Sequence, residues 1–492
     1  MNLNLKLIWN ILGIVMVIIG GTMLSGLVVA LLYGEPRMTR IFLITMIVYM
    51  LLGYALYKKT KQPKQMIKTR EGILSVFLCW VFAALLGTVP YMLSGAHETF
   101  IDAFFESMSC LTTTGSTLLT GVTELQHSLL FWRQFTTWMG GMGILIFAIS
   151  ILPMFGYGAA NLASAETVGQ NIEKVRARMT DTAKSVYLLY IALTVACIVL
   201  LRLGGTGLFD AFLLAFACLG NGGFGNYDIV QLTGDAISGA VYTQVIIIVF
   251  CILASFSFVN YQHLLKRRVR EFFRDAETRL YLGFLIVVSA LVVAALVASG
   301  IYQTLGDALR YGVFQAVGFL TTAGYAGADF DAWPQVTHWL MFIVMIVGGC
   351  SGSTSGGIKV IRAAVVFSLI KRNFYKRLHP SAVVPVRVGD KPIPSDRVNS
   401  IATFLMLYAM IVFIACTILS LEGLRVETTL GTVIAMLSNT GLVFGPEIGF
   451  ADALQIFSPG SRFLMTILML IGRLEIFTVL LLCTPAFWRP YK

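Results

Sequence analysis

Four glycines in this chain stand in matching surroundings: Gly115, Gly223, Gly324 and Gly441. Each follows a leucine by four residues (Leu111, Leu219, Leu320, Leu437) and a threonine or asparagine by two (Thr113, Asn221, Thr322, Asn439). Their spacings are 108, 101 and 117 residues. A unit that recurs at a nearly fixed period marks a repeat architecture. Each copy is preceded by about 12 apolar residues, or about 18 Å of helix, too short to cross a hydrocarbon core of about 30 Å. Asp102 and Asp210 each open an Asp-Ala-Phe thirteen residues before their glycine. They are expected as N-caps, favoured by the positive end of the helix dipole. The negative end then faces the Thr/Asn-x-Gly segment. Non-helical backbone at membrane depth is tolerated only where it lines water or protein. Four such segments therefore predict a ring of backbone carbonyls around one axis, able to replace the hydration shell of a cation. Glycine permits the φ values that aim carbonyls inward. A single glycine of this kind reads as a turn or a packing residue; four in register favour the ring.

Two further features could act inside an apolar setting. The run Gly348-Gly349-Cys350-Ser351-Gly352-Ser353-Thr354-Ser355-Gly356-Gly357 interrupts a long hydrophobic stretch. It breaks a helix and frees backbone groups that need a wet or protein-lined environment. A phosphate-binding loop is excluded, because Ile358-Lys359 follows Gly357 and no strand precedes the run. Close packing of small residues is the structural alternative, although ten such residues exceed what packing requires. Arg473 lies midway along the last apolar stretch. Insertion scales place its cost at roughly 2.5–3.5 kcal/mol, so it must face a polar interior. Glu475, two residues on, points elsewhere on a helix, which makes free carbonyls of the 348–357 loop the expected partners. Gly140-Gly141-Met142-Gly143 reads as close helix packing.

These residues need elements to hold them. Of 492 residues, 57% are hydrophobic and 12% charged, against roughly 45–50% and 25% in an average soluble domain. That excludes disorder, a disulfide scaffold and an ordinary cytosolic enzyme. Ten membrane spans are expected, at about 8–33, 40–57, 72–94, 128–154, 184–204, 237–264, 279–301, 337–370 (interrupted), 399–421 and 461–484. The first is too long for a signal-peptide core and is taken as retained. Basic residues cluster after even-numbered spans, in segments 58–70, 171–185, 266–279 and 371–397, which hold 23 of the 36 lysines and arginines. The positive-inside rule puts these segments and both termini in the cytoplasm. The formal charge of +11 then reflects orientation and gives no support to nucleic-acid binding. The opposite loops carry Glu98, Asp102, Glu106, Glu124, Asp210, Asp228, Asp235, Asp307, Asp329, Asp331, Glu427, Glu447 and Asp452, expected either as simple solvation or as acidic vestibules that concentrate cations. The eight cysteines are expected as small buried hydrophobes, and the five histidines lack zinc-site spacing. Trp132, Trp138, Trp333 and Trp339 fit interfacial belts.

On the four glycine segments, the broken eighth span and the last-span arginine, nearly the whole chain resembles the Trk/Ktr/HKT superfamily of potassium transporters. The two additional N-terminal spans favour its Trk branch. The resemblance implies an all-α polytopic membrane protein with four helix–pore-loop–helix repeats around a pseudo-four-fold pore. The expected division is an N-terminal helix pair at 1–70 and repeats at 71–182, 183–276, 277–397 and 398–492. It implies potassium uptake through a filter at Thr113-Thr114-Gly115, Asn221-Gly222-Gly223, Thr322-Ala323-Gly324 and Asn439-Thr440-Gly441, with potassium as the transported ion. Gly222, where many relatives carry alanine, departs from the pattern and could loosen the second segment. The 348–357 loop would be the gate, with Arg473 holding it closed; a purely structural tie between spans 8 and 10 is the alternative role. The family also implies a homodimer in a prokaryotic inner membrane and a cytosolic ring of Rossmann-type nucleotide-binding subunits. A nucleotide would enter only through that partner. The basic segments would dock that ring or contact anionic lipid. No covalent chemistry is expected. An intramembrane enzyme would need a Ser/His, paired-Asp or metal constellation, which Arg473 and Glu475 do not make. The functional alternative is a sodium/potassium symporter or a less selective monovalent cation transporter. An alternating-access carrier would call for inverted repeats and paired broken helices, whereas one long span is expected to be broken here.

Overall fold

The computed structural model describes residues 3–61, 67–119, 122–143, 179–223, 240–389, 391–443, 445, 447–448 and 454–489. Among them the regular secondary structure is almost entirely helical. An N-terminal hairpin pairs α1 (Leu5–Leu32) with α2 (Pro36–Thr60). A unit of long helix, short helix and second helix follows four times. The first is α3 (Thr69–Ser94), α4 (Phe100–Leu111) and α5 (His127–Gly141). The second is α6 (Met179–Leu203), α7 (Leu208–Gly220) and α8 (Ala240–Ala254), followed by the short α9 (Tyr261–Leu265) and α10 (Val269–Arg274). The third is α11 (Ala276–Ser299), α12 (Leu305–Leu320), α13 (Gln335–Val347) and α14 (Val360–Leu378). A two-stranded antiparallel pair, β1 (Arg387–Val388) and β2 (Lys391–Pro392), leads into the fourth. That unit holds α15 (Ser395–Leu419), α16 (Val426–Leu437), α17 (Pro459–Leu474), α18 (Ile476–Leu482) and α19 (Pro485–Trp488).

Six described helices are long and apolar enough to cross a membrane, or seven if one bent pair is counted as a single span. Large apolar side chains such as Leu51, Leu203, Ile286 and Phe413 stand exposed on the outer helices. Bands of this kind are stable against acyl chains rather than water. The short helices are the opposite: nine of the twelve residues of α4 are buried, including Glu106 and Ser109. The molecule is a polytopic all-α membrane protein.

Several expectations are corrected. Spans 6 and 10 are not continuous: α8 ends at Ala254, and α17 and α18 meet at a bend of 117°. The break at Glu475 carries φ +61 with no glycine or proline to announce it. In span 4, α5 ends at Gly141; residues 144–154 of that span lie outside the described residues, as do most of the basic segment 171–185 and Asp228, Asp235 and Asp452. Asp102 and Asp210 are not caps. They sit in the first turns of α4 and α7, whose N-caps are Thr99 and Gly207, and the Thr99 hydroxyl accepts from Asp102 N–H at 3.2 Å. Their charge still meets the helix dipole. Trp132 and Trp333 are buried and belong to the core, whereas Trp339 is exposed. Glu106 does not face a vestibule either, being completely buried. All eight cysteines are free, and Cys79, Cys110, Cys197, Cys218, Cys251 and Cys350 are buried.

The termini meet at the start of α3. Asn4 N–H donates to Glu71 Oε1 (3.1 Å), and the Arg70 guanidinium donates to Arg489 O (2.6 Å) and Ala486 O (3.2 Å). Both ends therefore lie on the same side as the basic 58–70 connection. The hairpin of α1 and α2 is closed by glycines: a Cβ at Gly13 would fall 2.9 Å from Tyr57 N, and one at Gly53 2.9 Å from Val17 N. Gly53→Leu is expected to part the two helices and to cost about 1–3 kcal/mol by overpacking. The readout is a lower thermal unfolding midpoint in detergent; an unchanged midpoint would contradict this account of the contact.

Candidate functional site

The four glycine segments come together as one closed ring. A Cβ at Gly115 would strike the carbonyl oxygen of Gly222, one at Gly223 that of Ala323, one at Gly324 that of Thr440, and one at Gly441 that of Thr114. Each glycine therefore abuts the residue just before the glycine of the next segment. The order runs first, second, third, fourth and back to first. A side chain here forces the backbone to shift, because the obstructing atoms are backbone and cannot rotate away. Gly222 has a local reason of its own, since a Cβ there would run into the Thr137 methyl.

The backbone is the same in all four segments. Thr113, Asn221, Thr322 and Asn439 have φ between +51° and +56°. The following residues, Thr114, Gly222, Ala323 and Thr440, lie outside the positive-φ set, and the glycines return to positive φ (+85°, +47°, +66° and +74°). This alternation begins as a helix C-cap. Thr114 N–H donates to Ser109 O (2.9 Å), Gly222 N–H to Ala217 O (3.0 Å) and Thr440 N–H to Ala435 O (2.9 Å). These are six-to-one closures around a left-handed residue. In the third segment the closure is longer, from Gly324 N–H to Gly318 O (3.1 Å). Asparagine tolerates positive φ, whereas β-branched threonine is a genuine outlier there. Such strain, about 1–3 kcal/mol per residue, persists only where the surroundings over-determine it.

The surroundings supply side-chain ties. Asn221 Nδ2 donates to Ser255 Oγ (3.1 Å), Thr354 Oγ1 (2.9 Å) and Ser355 Oγ (3.1 Å). Asn439 Nδ2 donates to Thr114 Oγ1 (3.0 Å) and Met469 O (2.9 Å). Ser116 Oγ donates to Gly441 O at 2.7 Å, joining first and fourth segments. Buried Tyr325, just after Gly324, donates to Leu214 O of α7 (3.3 Å).

The 348–357 loop lies directly against this ring. Gly356 N–H donates to Thr322 Oγ1 (2.6 Å) and Gly357 N–H to Ser438 O (3.0 Å). Cys350 N–H donates to Ser255 O (3.0 Å), Phe258 N–H to Gly352 O (3.0 Å), and Ser351 N–H to Glu277 Oε1 (2.5 Å). Ser353 Oγ turns back to Cys350 O (2.6 Å). A Cβ at Gly348 would collide with Gly356 O, and one at Gly349 with the Ser355 side chain. The freed backbone groups of the broken helix are thus largely taken up by the protein around them. Lys359 Nζ also donates to Ser355 O.

Arg473 binds the loop as expected, through Nη1 to Thr354 O (3.0 Å). Nη2 adds bonds to Gly140 O (2.5 Å) and Gly141 O (3.0 Å), the terminal carbonyls of α5. A guanidinium at a helix C-terminus is favoured by the dipole. The Gly140-Gly141 pair does pack closely, with a Cβ at Gly141 falling 2.7 Å from Tyr190 Oη, but its carbonyls as arginine ligands were not readable from spacing. Glu475 is not the partner of Arg473. It pairs with Arg362 (2.6 Å), whose guanidinium stacks 4.3 Å over Phe404.

At the outer ends of the short helices, Thr428 donates to Glu447, and this hydroxyl holds the Glu447 carboxyl below its ordinary range. Burial, and then the charge of Asp329, push Asp331 up to about 6. The steric origin of the ring can be separated from simple φ strain. Gly300 has φ +67° with open space around it, so Gly300→Ala is expected to cost about 1–2 kcal/mol. Gly441→Ala meets backbone as well and is expected to cost more than about 2 kcal/mol. Equal losses of thermal midpoint for the two variants would remove the steric argument.

The chain is similar to known proteins along almost its whole length. The family model of the TrkH cation transport proteins matches residues 38–489. The Trk system potassium uptake protein TrkH of Halomonas elongata is 35% identical over 491 residues, covering 99% of this chain and 100% of the relative. The Trk system potassium uptake protein TrkH of Escherichia coli is 33% identical with the same coverage. The crystal structure of the potassium transporter TrkH from Vibrio parahaemolyticus superposes with a TM-score of 0.87 at 31% identity, covering 99% of this chain and 100% of that one. With its repeats, its broken helix and its final arginine all inside the matched region, the chain belongs to the TrkH family of cation transport proteins.

Proposed function

We propose that this chain takes up potassium ions across a bacterial inner membrane, through a path selected by the ring of four glycine segments. The observation that carries this reading is the cyclic closure of glycine on carbonyl. Four backbones of alternating φ sign, each at the C-terminal end of a short helix, direct carbonyl oxygens and helix dipoles at one axis. The coordinating groups are the backbone of 113–115, 221–223, 322–324 and 439–441. The relatives named as potassium uptake proteins support the choice of ion. Transport makes and breaks no covalent bond, and K⁺ is cargo.

The 348–357 loop is the gate on this reading. Its bonds to Thr322, to Asn221 and to Ser438, just before the fourth segment, support this reading, in which an ion leaving the ring meets the loop first. Arg473 locks the loop to α5 and adds positive charge to the cation path. The four units follow the division at 71–182, 183–276, 277–397 and 398–492, with 1–70 as a peripheral hairpin. The basic connections face the cytoplasm together with both termini. They offer a docking surface for a nucleotide-binding ring that works the gate, and two copies of the chain form a dimer with one path each.

In proteoliposomes, the reversal potential under opposing K⁺ and Na⁺ gradients is expected to follow K⁺; equal permeation of the two ions would remove selectivity from the reading. Arg473→Ala loses three charge-assisted bonds, each worth about 1.5–3 kcal/mol. It is expected to raise flux without the partner subunit by about 10-fold or more. Unchanged flux in a folded variant would leave Arg473 a structural tie. Rescue of a transport-deficient strain on limiting potassium, with and without a regulatory subunit, tests uptake as a whole.

A further inference from the structure

Behind two of the four segments lies a polar side chain that the ring itself does not use. Glu106 stands nine residues before Gly115 and Gln315 nine before Gly324. Both lie in short helices and both are completely buried. Each bonds the chain that leaves its own glycine. Glu106 accepts from Leu118 N–H (3.2 Å) and from the Thr117 hydroxyl (3.1 Å). Gln315 Oε1 accepts from Gly327 N–H (3.2 Å), and its amide donates to Tyr325 O (3.4 Å). Leu118 and Gly327 are each the third residue after their glycine. The same helix position therefore takes the same main-chain N–H in the first and third repeats, which are diagonal in the ring. The corresponding positions of the second and fourth repeats are Leu214 and Thr432. Leucine has no acceptor, and Thr432 donates within its own helix to Thr428 O (2.7 Å).

Filling space does not explain Glu106, because Leu214 fills the same place in the second repeat. A buried carboxylate is costly unless it is paired and hydrogen-bonded. This one is satisfied by Arg133, at 2.7 Å from Nε to Oε1, with both side chains at most 1% exposed. The chain thus maintains a sealed ion pair to keep an acceptor at that point.

We propose that Glu106 and Gln315 are positioning residues for ion selection. They anchor the outgoing chain of two diagonal segments, so that the carbonyls of 113–115 and 322–324 cannot draw inward around a smaller cation. This rests on the ring being the selecting element. On the cavity-size account of selectivity, a ring held at fixed width favours the larger ion of a monovalent pair, and a ring free to contract accommodates both.

The test is bi-ionic reversal potential, K⁺ against Na⁺, on reconstituted Gln315→Met and Glu106→Leu, with Gly324→Ser alongside and thermal midpoints measured on each protein. Gln315→Met keeps volume and removes both bonds, and it carries the test if Glu106→Leu does not fold with Arg133 left unbalanced. Each brace is expected to be worth about 3- to 10-fold in the K⁺/Na⁺ permeability ratio, the range of one or two net hydrogen bonds. A lowered midpoint with an unchanged ratio in Gln315→Met, while Gly324→Ser shifts the ratio, overturns the positioning role and leaves the ring reading standing. An unchanged ratio in Gly324→Ser as well overturns the ring reading, and the proposal with it.

Discussion

The structure turns on a backbone-to-backbone approach, glycine Cα against the carbonyl of the neighbouring segment, repeated four times around one axis. Because neither partner is a side chain, no rotamer can relieve a clash, and the four segments fix one another's separation. The short helices are placed to deliver this contact: each ends in a left-handed residue two before its glycine. Around the ring, threonine, asparagine and serine side chains replace the hydrogen bonds that helical backbone would have made internally.

The same requirement explains the layer against the ring. The second helices of the four units end at Gly141, Ala254, Val347 and Leu474. Each end releases carbonyls, and charge or hydroxyl groups gather to meet them. Arg473 takes the ends of α5 together with the 348–357 loop, and Arg362 and Glu475 pair beside it. A single cation thereby links three elements from the first, third and fourth repeats. Its removal would release the loop from two sides at once.

Much of this was legible in the residues. The period of the glycines located every ring segment, and the composition of 348–357 located the broken helix. The cost of an intramembrane charge assigned Arg473 to a polar partner. The misreadings share a cause. Asp102 and Asp210 look like caps on composition, but the helices begin earlier and Thr99 does the capping in one. The bend at Glu475 and the stop at Ala254 carry no glycine or proline. They arise from contacts with the loop and with Arg362, which belong to other repeats. Glu106 looked like one of many outer acids because its partner, Arg133, is 27 residues away and on another helix.

Taken alone, then, the sequence determined class and inventory: a multi-span helical membrane protein, four copies of a half-length helix ending in Thr/Asn-x-Gly, one broken span and one arginine within an apolar run. These follow from local quantities, namely hydropathy summed over a span and the conformational freedom of glycine. Only the tertiary structure decided the rest: the cyclic order in which glycine meets carbonyl, the carbonyls that hold Arg473, and the diagonal pair of buried acceptors behind the ring. Those depend on which backbones approach within van der Waals distance. At the ring that approach is set by packing between residues 100 or more positions apart, and behind it by contacts 12 to 27 positions apart, on which residue type and spacing carry no information.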